Sequence, residues 1–291
     1  MYIFIYVVSI LNKSTTIINM FNTIGIITKP NDPRSDDKAR ELAIFLKNKN
    51  VAVVKDDEQI IEQADLIIVM GGDGSLLNTA RTFVDKKIPI LGINLGRLGF
   101  LADVPVTNME EIVSEVLNGD FIKEERRLLS CQVEQNGKIL GQFLALNDAV
   151  VHRTETLKMI EFDLFIDDKF VNNQRADGLI ITTPTGSTAY ALSSGGPIMH
   201  PGIDAIGLVS ICPHTMSHRP LLVPGDSEVI IKVKNSEDGA IVSFDGQTSV
   251  SIKAGQDIRL HQYSNAISLL HPKNYNYFKI IRSKLHWGTK L

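Results

Sequence analysis

A chain of 291 residues with 44% apolar and 22% charged side chains has the composition of a soluble globular protein, long enough for one large domain or two ordinary ones. Its 30 basic and 33 acidic residues leave a formal charge of −3, which gives no basic footprint for a nucleic-acid partner. The two cysteines, Cys131 and Cys212, are too few for a disulfide scaffold and fit a reducing, cytoplasmic setting, so collagenous, disordered and small secreted classes are excluded.

The chain opens on MYIFIYVVSIL, apolar except for Ser9. This run is shorter than the ~20 residues that a membrane-spanning helix needs. It also lacks the positive n-region and small-residue cleavage site of a signal peptide. Residues 1–20 are therefore read as a weakly structured extension or a start set upstream of the working protein, with a membrane contact or an extra strand as rival readings. No membrane partner is expected.

From Thr23 strand and helix alternate. NTIGIIT is strand-like and ends at Lys29-Pro30; a helix follows with Ser35 as its expected N-cap and Ala39, Leu42, Ala43 and Leu46 on one face. VAVVKD and the unbroken apolar run ADLIIVM read as parallel strands, the second buried on both sides. GGDGSLLNTARTF passes from loop to helix, IPILGIN is the next strand, and Thr107-x-x-Glu110 predicts a capping box before EEIVSEVLNG. This is a βαβ series, hence a parallel sheet with helices on its faces.

Beyond Phe121 the pattern changes to period two. An Asn136-Gly137 turn joins two strand-like runs, Asp167-Asp168 joins two more, and EVIIKVKN, AIVSFDGQ, VSIKAG and DIRLHQY continue in the same way. The predicted organisation is an extension over 1–20, an α/β domain over 21–122, a β-rich domain over 123–270, and a tail over 271–291 packing back on the α/β domain. A ligand site is expected between the two domains.

The chemistry centres on Gly71-Gly72-Asp73-Gly74-Ser75, between a buried strand and a helix. Glycine amides and a helix N-terminus make a natural phosphate site. Asp73 is out of place there, because a carboxylate at ~4 Å from a phosphate costs ~1 kcal/mol in water and more at lower dielectric. It makes sense beside a divalent cation, or as the acceptor of a proton from an attacking hydroxyl; the plainer alternative is that it caps the helix. The chain has no G-x-x-x-x-G-K-[ST], and Leu77 breaks a G-x-G-x-x-G started at Gly72. A second loop, PTGSTAYALSSGGP at 184–197, supplies hydroxyls, amides and the Tyr190 ring, with Arg175 and Asp177 just upstream.

Together GGDGS (71–75), GINLGRLGFL (92–101), LNDAVVH (146–152), QRADGLIITTPTGSTAYALSSGGP (174–197), PHTMSHRPL (213–221), the Asp245-Gly246-Gln247 turn and HPKNYNYF (271–278) resemble the NAD kinase family, in the same order and over nearly the whole chain from Thr23. The resemblance implies a Rossmann-like α/β domain plus a β-rich domain, as in NAD kinases and diacylglycerol kinases. It implies transfer of the γ-phosphoryl group of ATP to the 2′-hydroxyl of the adenosine ribose of NAD, a divalent metal such as Mg²⁺, and a homodimer or homotetramer. By motif match Asp73 is the proton acceptor and Gly74 lies beside the dinucleotide. Asn147, Asp148, Arg175, Asp177, Thr188, Ala189, Tyr190, Ala191, Leu192, Ser193 and Gln247 match further NAD-binding positions, and Lys158 aligns with a variable polar one. Many members have Asn-Glu where this chain has Asn147-Asp148, so the carboxylate is one methylene shorter.

Two alternatives stand beside this reading: a lipid or sugar kinase with a GGDG loop, and a non-catalytic NAD sensor. The chain lacks the P-L-G-T-x-N-D stretch of the lipid enzymes and the T-I-D-N-D of phosphofructokinases. Cys212-Pro213-His214-x-x-x-His218 has a metal-like look but no fourth ligand nearby, and Pro213 disfavours a regular helix before it.

Overall fold

A computed structural model describes residues 19–154, 159–234, 240–253 and 255–288. Lys158 and the apolar run at the N-terminus lie outside them. β1 (Thr23–Thr28), β2 (Ala52–Val54), β3 (Leu66–Gly71), β4 (Ile90–Asn94) and the short β5 (Val104–Pro105) pair in parallel, connected through α1 (Pro33–Asn48), α2 (Asp57–Gln63) and α3 (Asp73–Phe83) and followed by α4 (Met109–Leu117). Every residue of β3 is buried, as its unbroken apolar sequence requires of a strand covered on both faces. α1 buries Ala39, Leu42 and Leu46, the stripe expected from helical spacing.

Two helix starts differ from expectation. α1 is capped by Asp32, whose carboxylate accepts from Arg34 N at 3.2 Å, and Pro33 takes the first helical position, where its missing N–H costs nothing. Ser35 is instead buried in the first turn, donating to Met70 O at 2.7 Å and accepting from Lys29 N at 2.9 Å. The Thr107–Glu110 box does not form, because a 3₁₀ turn over Val106–Asn108 draws Thr107 into itself. Asn108 then becomes the N-cap of α4, without a side-chain capping bond.

The second half is antiparallel. Its strands are β6 (Phe121–Gln135), β7 (Lys138–Ala145), β8 (Asp148–Arg153), β9 (Ile160–Ile166), β10 (Lys169–Ala176) and β11 (Gly178–Thr182), then β12 (Ala205–Ile211), β13 (Leu221–Pro224), β14 (Val229–Val233), β15 (Ala240–Phe244), β16 (Thr248–Ile252) and β17 (Asp257–Pro272). A short α5 (Tyr190–Ser193) follows the second loop, and α6 (Tyr277–Leu285) closes the chain. Three hairpins turn on pairs with positive φ at both positions: Asn136-Gly137 (52°, 76°), Asp167-Asp168 (50°, 59°) and Asp245-Gly246 (52°, 63°). This is the backbone twist that antiparallel strands favour.

An eleven-stranded sheet runs β10-β9-β14-β17-β4-β3-β1-β2, with β5 on β4 and with β6 pairing β17 and β7. A six-stranded sheet, β13-β12-β11-β8-β15-β16, faces its antiparallel part across a core that includes Leu129, Val151, Phe162, Leu179, Phe244 and Ile258. β17 joins the two halves. Its start pairs antiparallel with β14 (Val229 opposite Leu260), and its end pairs parallel with β4 (Leu269 opposite Ile90). The glycine turn after β3 and the loop after β7 are thereby held in one hydrogen-bonded sheet.

Candidate active site

Gly72 is the N-cap of α3 and Asp73 its first residue, so Asp73 is not the capping group. Its carboxylate faces the loop after β4. Oδ2 accepts from Phe100 N at 2.8 Å, and Oδ1 accepts from Leu101 N at 3.1 Å and Ala102 N at 2.9 Å. A carboxylate offers about four acceptor directions, so these three leave room for one further donor. The loop approaches closely because residue 99 is glycine: a Cβ there would fall 1.9 Å from Asp73 Oδ1. Gly99→Ala must displace the carboxylate or the loop. We expect turnover to fall by ~10²-fold, the cost of misplacing a group at the site by about 1 Å, together with a lower melting temperature from the buried clash; steady-state kinetics beside a melting curve check this.

Two turns further along α3, Arg81 pairs with Asp245 and donates to Gln247 Oε1, both in the β15–β16 turn. Gln247 Nε2 in turn donates to Gly74 O at 2.8 Å. The Asp245 side chain is fully buried and also accepts from Leu146 N (3.1 Å), Asn147 N (2.7 Å) and Asp148 N (3.3 Å). One buried ion pair therefore ties the helix that begins at Asp73 to the start of β8.

A cavity of about 580 Å³ opens beside this tie, lined by Asn147, Asp148, Asp177, Ala189, Tyr190 and Gly246 among others. Tyr190 is 47% exposed at its rim, an aromatic face available for stacking. Asp177 pairs with Arg153 at 3.1 Å, and His152 and Arg153 add basic groups to the wall that the sequence did not single out. Burial, reinforced by the nearby Asp245 charge, pushes the Asp148 carboxyl up to about 7. A folded-state value raised from 3.8 means that the native protein holds the proton longer than the unfolded chain, so this contribution to stability is full below pH 4 and is lost as pH rises toward 7. Asp148→Asn should abolish that slope and melt higher than the parent at pH 8, which scanning calorimetry at pH 5 and 8 would measure.

The remaining candidates stand outside this cavity's lining. Gln247 and Gly74 meet each other, as described. Thr188 Oγ1 donates back to Thr185 O at 3.3 Å, Leu192 N bonds Ala189 O at 3.2 Å, and Ser193 is exposed. Ala191 is buried with Val150, Ile180 and Val209, so its side chain serves packing. Arg175 stands exposed on β10, outside this cavity's lining. Among the described residues no three His, Cys, Asp or Glu side chains gather as a metal site, so Cys212, His214 and His218 do not form one.

A second cavity, of about 290 Å³, has Asp73 in its lining. Gly71, Gly72, Gly96 and Gly99 line it, and Lys29, Arg34, Arg97 and Lys284 outnumber its two carboxylates, Asp32 and Asp73. Glycine backbone and excess cationic charge suit a chain of phosphates. Arg81 and Lys284 were not legible as site residues, since a basic residue in a last helical turn reads equally well as a solvated cap.

A parallel βα unit that presents a carboxylate to a cationic, glycine-lined cavity, beside a larger cavity with an aromatic rim, has the parts that a phosphotransferase acting on nucleotides needs. The comparisons are specific. The ATP-NAD kinase N-terminal domain matches residues 57–121 and the ATP-NAD kinase C-terminal domain residues 146–271. An NAD kinase of Hydrogenovibrio crunogenus is 43% identical over 94% of this chain and 100% of its own length. Yeast NADH kinase, solved with NADH, superposes with a TM-score of 0.84 at 25% identity, covering 93% of this chain and 89% of that one. An NAD kinase from Archaeoglobus fulgidus, solved with ATP, superposes at 0.75 and 26% identity, covering 91% and 98%. The chain belongs to the NAD kinase family.

Proposed function

We propose that the protein transfers the γ-phosphoryl group of ATP to the 2′-hydroxyl of the adenosine ribose of NAD, producing NADP. The observation that carries this reading is the position of Asp73: it lines the donor-type cavity, and its neighbour Gly74 is bonded to Gln247, next to Gly246 in the lining of the dinucleotide-type cavity. The dinucleotide lies along Asn147, Asp148, Asp177 and the 188–193 segment, with Tyr190 against a base. The triphosphate lies over the glycine amides, within reach of Arg97 and Lys284. The ribose hydroxyl donates to the remaining acceptor direction of Asp73, which orients it in line and takes its proton as its oxygen bonds the γ-phosphorus and the bond from that phosphorus to the β–γ bridging oxygen breaks, releasing ADP. No phospho-enzyme is required.

A divalent metal, Mg²⁺ by its chemistry, accompanies the triphosphate. The donor set fits an ion carried mainly by phosphate oxygens and water, because Asp32 is committed to Arg34 and Asp73 to three backbone amides. Its role is to neutralise charge on the transferring group. We further read the protein as a cytoplasmic homo-oligomer, dimer or tetramer. Free Cys131 and Cys212 fit a reducing compartment, and Leu221 and Leu222, 39% and 46% exposed on the edge strand β13, suit a subunit contact.

The test is a panel of NAD, diacylglycerol and fructose 6-phosphate, each with ATP and Mg²⁺. The reading expects turnover with NAD alone, detected by an NADP-specific dehydrogenase. Turnover of the lipid or sugar would replace it, and NAD binding without NADP would make the protein a sensor.

A further inference from the structure

Behind the loop that holds Asp73 lies a group of ionisable side chains that neither cavity uses. His271, at the end of β17, is fully buried, and Arg126 is 3% exposed. His271 Nδ1 is 3.0 Å from Asp103 Oδ2, and its Nε2 is 3.6 Å from Glu124 Oε2. Arg126 Nη2 donates to the same Glu124 oxygen at 2.6 Å, and its Nη1 reaches Thr185 Oγ1 at 3.5 Å. Tyr275 stacks on the imidazole with ring centres 3.9 Å apart.

The two ends of this chain of contacts are informative. Asp103 directly follows Ala102, whose N–H is bonded to Asp73, and Thr185 opens the turn that leads into Ala189 and Tyr190. Among the described residues four buried side-chain polar atoms lack a hydrogen-bond partner, and all belong here: Asp103 Oδ1, Arg126 Nε, His271 Nε2 and Tyr275 OH. A buried ionic group satisfied this incompletely is a poor source of stability compared with apolar packing. Its two carboxylates balance the arginine only when His271 carries a proton.

We propose that His271, as an imidazolium held between Asp103 and Glu124, is a positioning residue that keeps the Asp73-binding loop in register with the dinucleotide loop headed by Thr185. The proposal rests on the phosphoryl-transfer reading. Burial alone would lower the His271 pKa, but the bond to Asp103 and the charges of Asp103 and Glu124 raise it above the ordinary 6.5. Glu124, pushed up by burial, is drawn down to about 2 by His271 and Arg126. The ionisable groups around the imidazole are Asp103 from the loop before β5, Glu124 and Arg126 on β6, and Tyr275 after β17; Tyr277 of α6 lies near the same Glu124–Arg126 pair. As pH rises through the raised value the cation is lost, and the register loosens.

The experiment compares wild type, His271→Gln and Glu124→Gln by NADP production, melting temperature and NMR titration of His271. In the wild type, kcat should fall on the alkaline side with the pKa that NMR assigns to His271. Glu124→Gln should move both to lower pH together. His271→Gln should lose kcat by ~10-fold or more, with its KM for NAD within ~3-fold and no alkaline limb. A His271→Gln variant that melts lower but keeps wild-type kcat and pH profile overturns the proposal, as does a wild-type His271 that NMR finds neutral at pH 7. If His271→Gln does not fold, the coincidence of NMR and kinetic pKa in wild type and Glu124→Gln decides alone. Wild type that makes no NADP overturns the phosphoryl-transfer reading, and the proposal with it.

Discussion

Asp73→Asn is expected to lower kcat by about 10²- to 10⁴-fold, the range that a positioned proton acceptor contributes, while NAD still binds within ~3-fold of its parent affinity. The amide differs from the carboxylate in two ways that act together. It cannot accept the proton of the ribose hydroxyl. It also turns one oxygen into a donor that must face either Phe100 N or the pair Leu101 N and Ala102 N, each already a donor. The better orientation sacrifices the single Phe100 bond, so the loop shifts modestly and the dinucleotide cavity, walled by other elements, keeps its shape. Calorimetric NAD binding beside steady-state rates separates the two quantities. Wild-type turnover by this variant would remove Asp73 from the acceptor role.

The largest effect on stability is expected from Asp245→Ala. The substitution strands the N–H groups of Leu146, Asn147 and Asp148 together with the mostly buried Arg81 guanidinium. Removing one partner of a buried pair costs about 3–5 kcal/mol, or roughly 10 °C in melting temperature for a chain of this size. Because Asn147 and Asp148 lose their anchor, KM for NAD should rise as well. Asp245→Asn keeps one acceptor oxygen and should fall between the two. A denaturant titration that finds Asp245→Ala within ~1 kcal/mol of wild type would show that the tie across the cleft carries little.

These two residues also mark how far the sequence could be read. The glycine turn between strand and helix that singles out Asp73 is a local pattern, although its role as proton acceptor follows only from the family resemblance, and the three hairpin turns are local in the same sense: Asn136-Gly137 announces its own backbone twist. Asp245 sits in such a turn, but its partner Arg81 is 164 positions away. No periodicity reports a pairing of that range. The same holds for β17, whose alternating sequence predicts a strand but does not reveal that one end pairs with β14 and the other with β4. The misplaced helix caps have a different cause. Ser35 and Thr107 both have the right chemistry, but at each start a neighbour, Asp32 or Asn108, takes the capping position because Pro33 or a 3₁₀ turn resets the first helical residue. Cavities are the least legible of all: Lys284 reaches the glycine-lined pocket from the far end of the chain.

The most direct test of phosphoryl transfer at the Asp73 junction is ³¹P NMR of the product formed from ATP and NAD, run in parallel with NAD lacking the adenosine 2′-hydroxyl. The account expects a single new phosphomonoester resonance on the adenosine 2′ oxygen with NAD and none with the deoxy analogue. Phosphate on any other hydroxyl, or equal phosphorylation of the analogue, would contradict it.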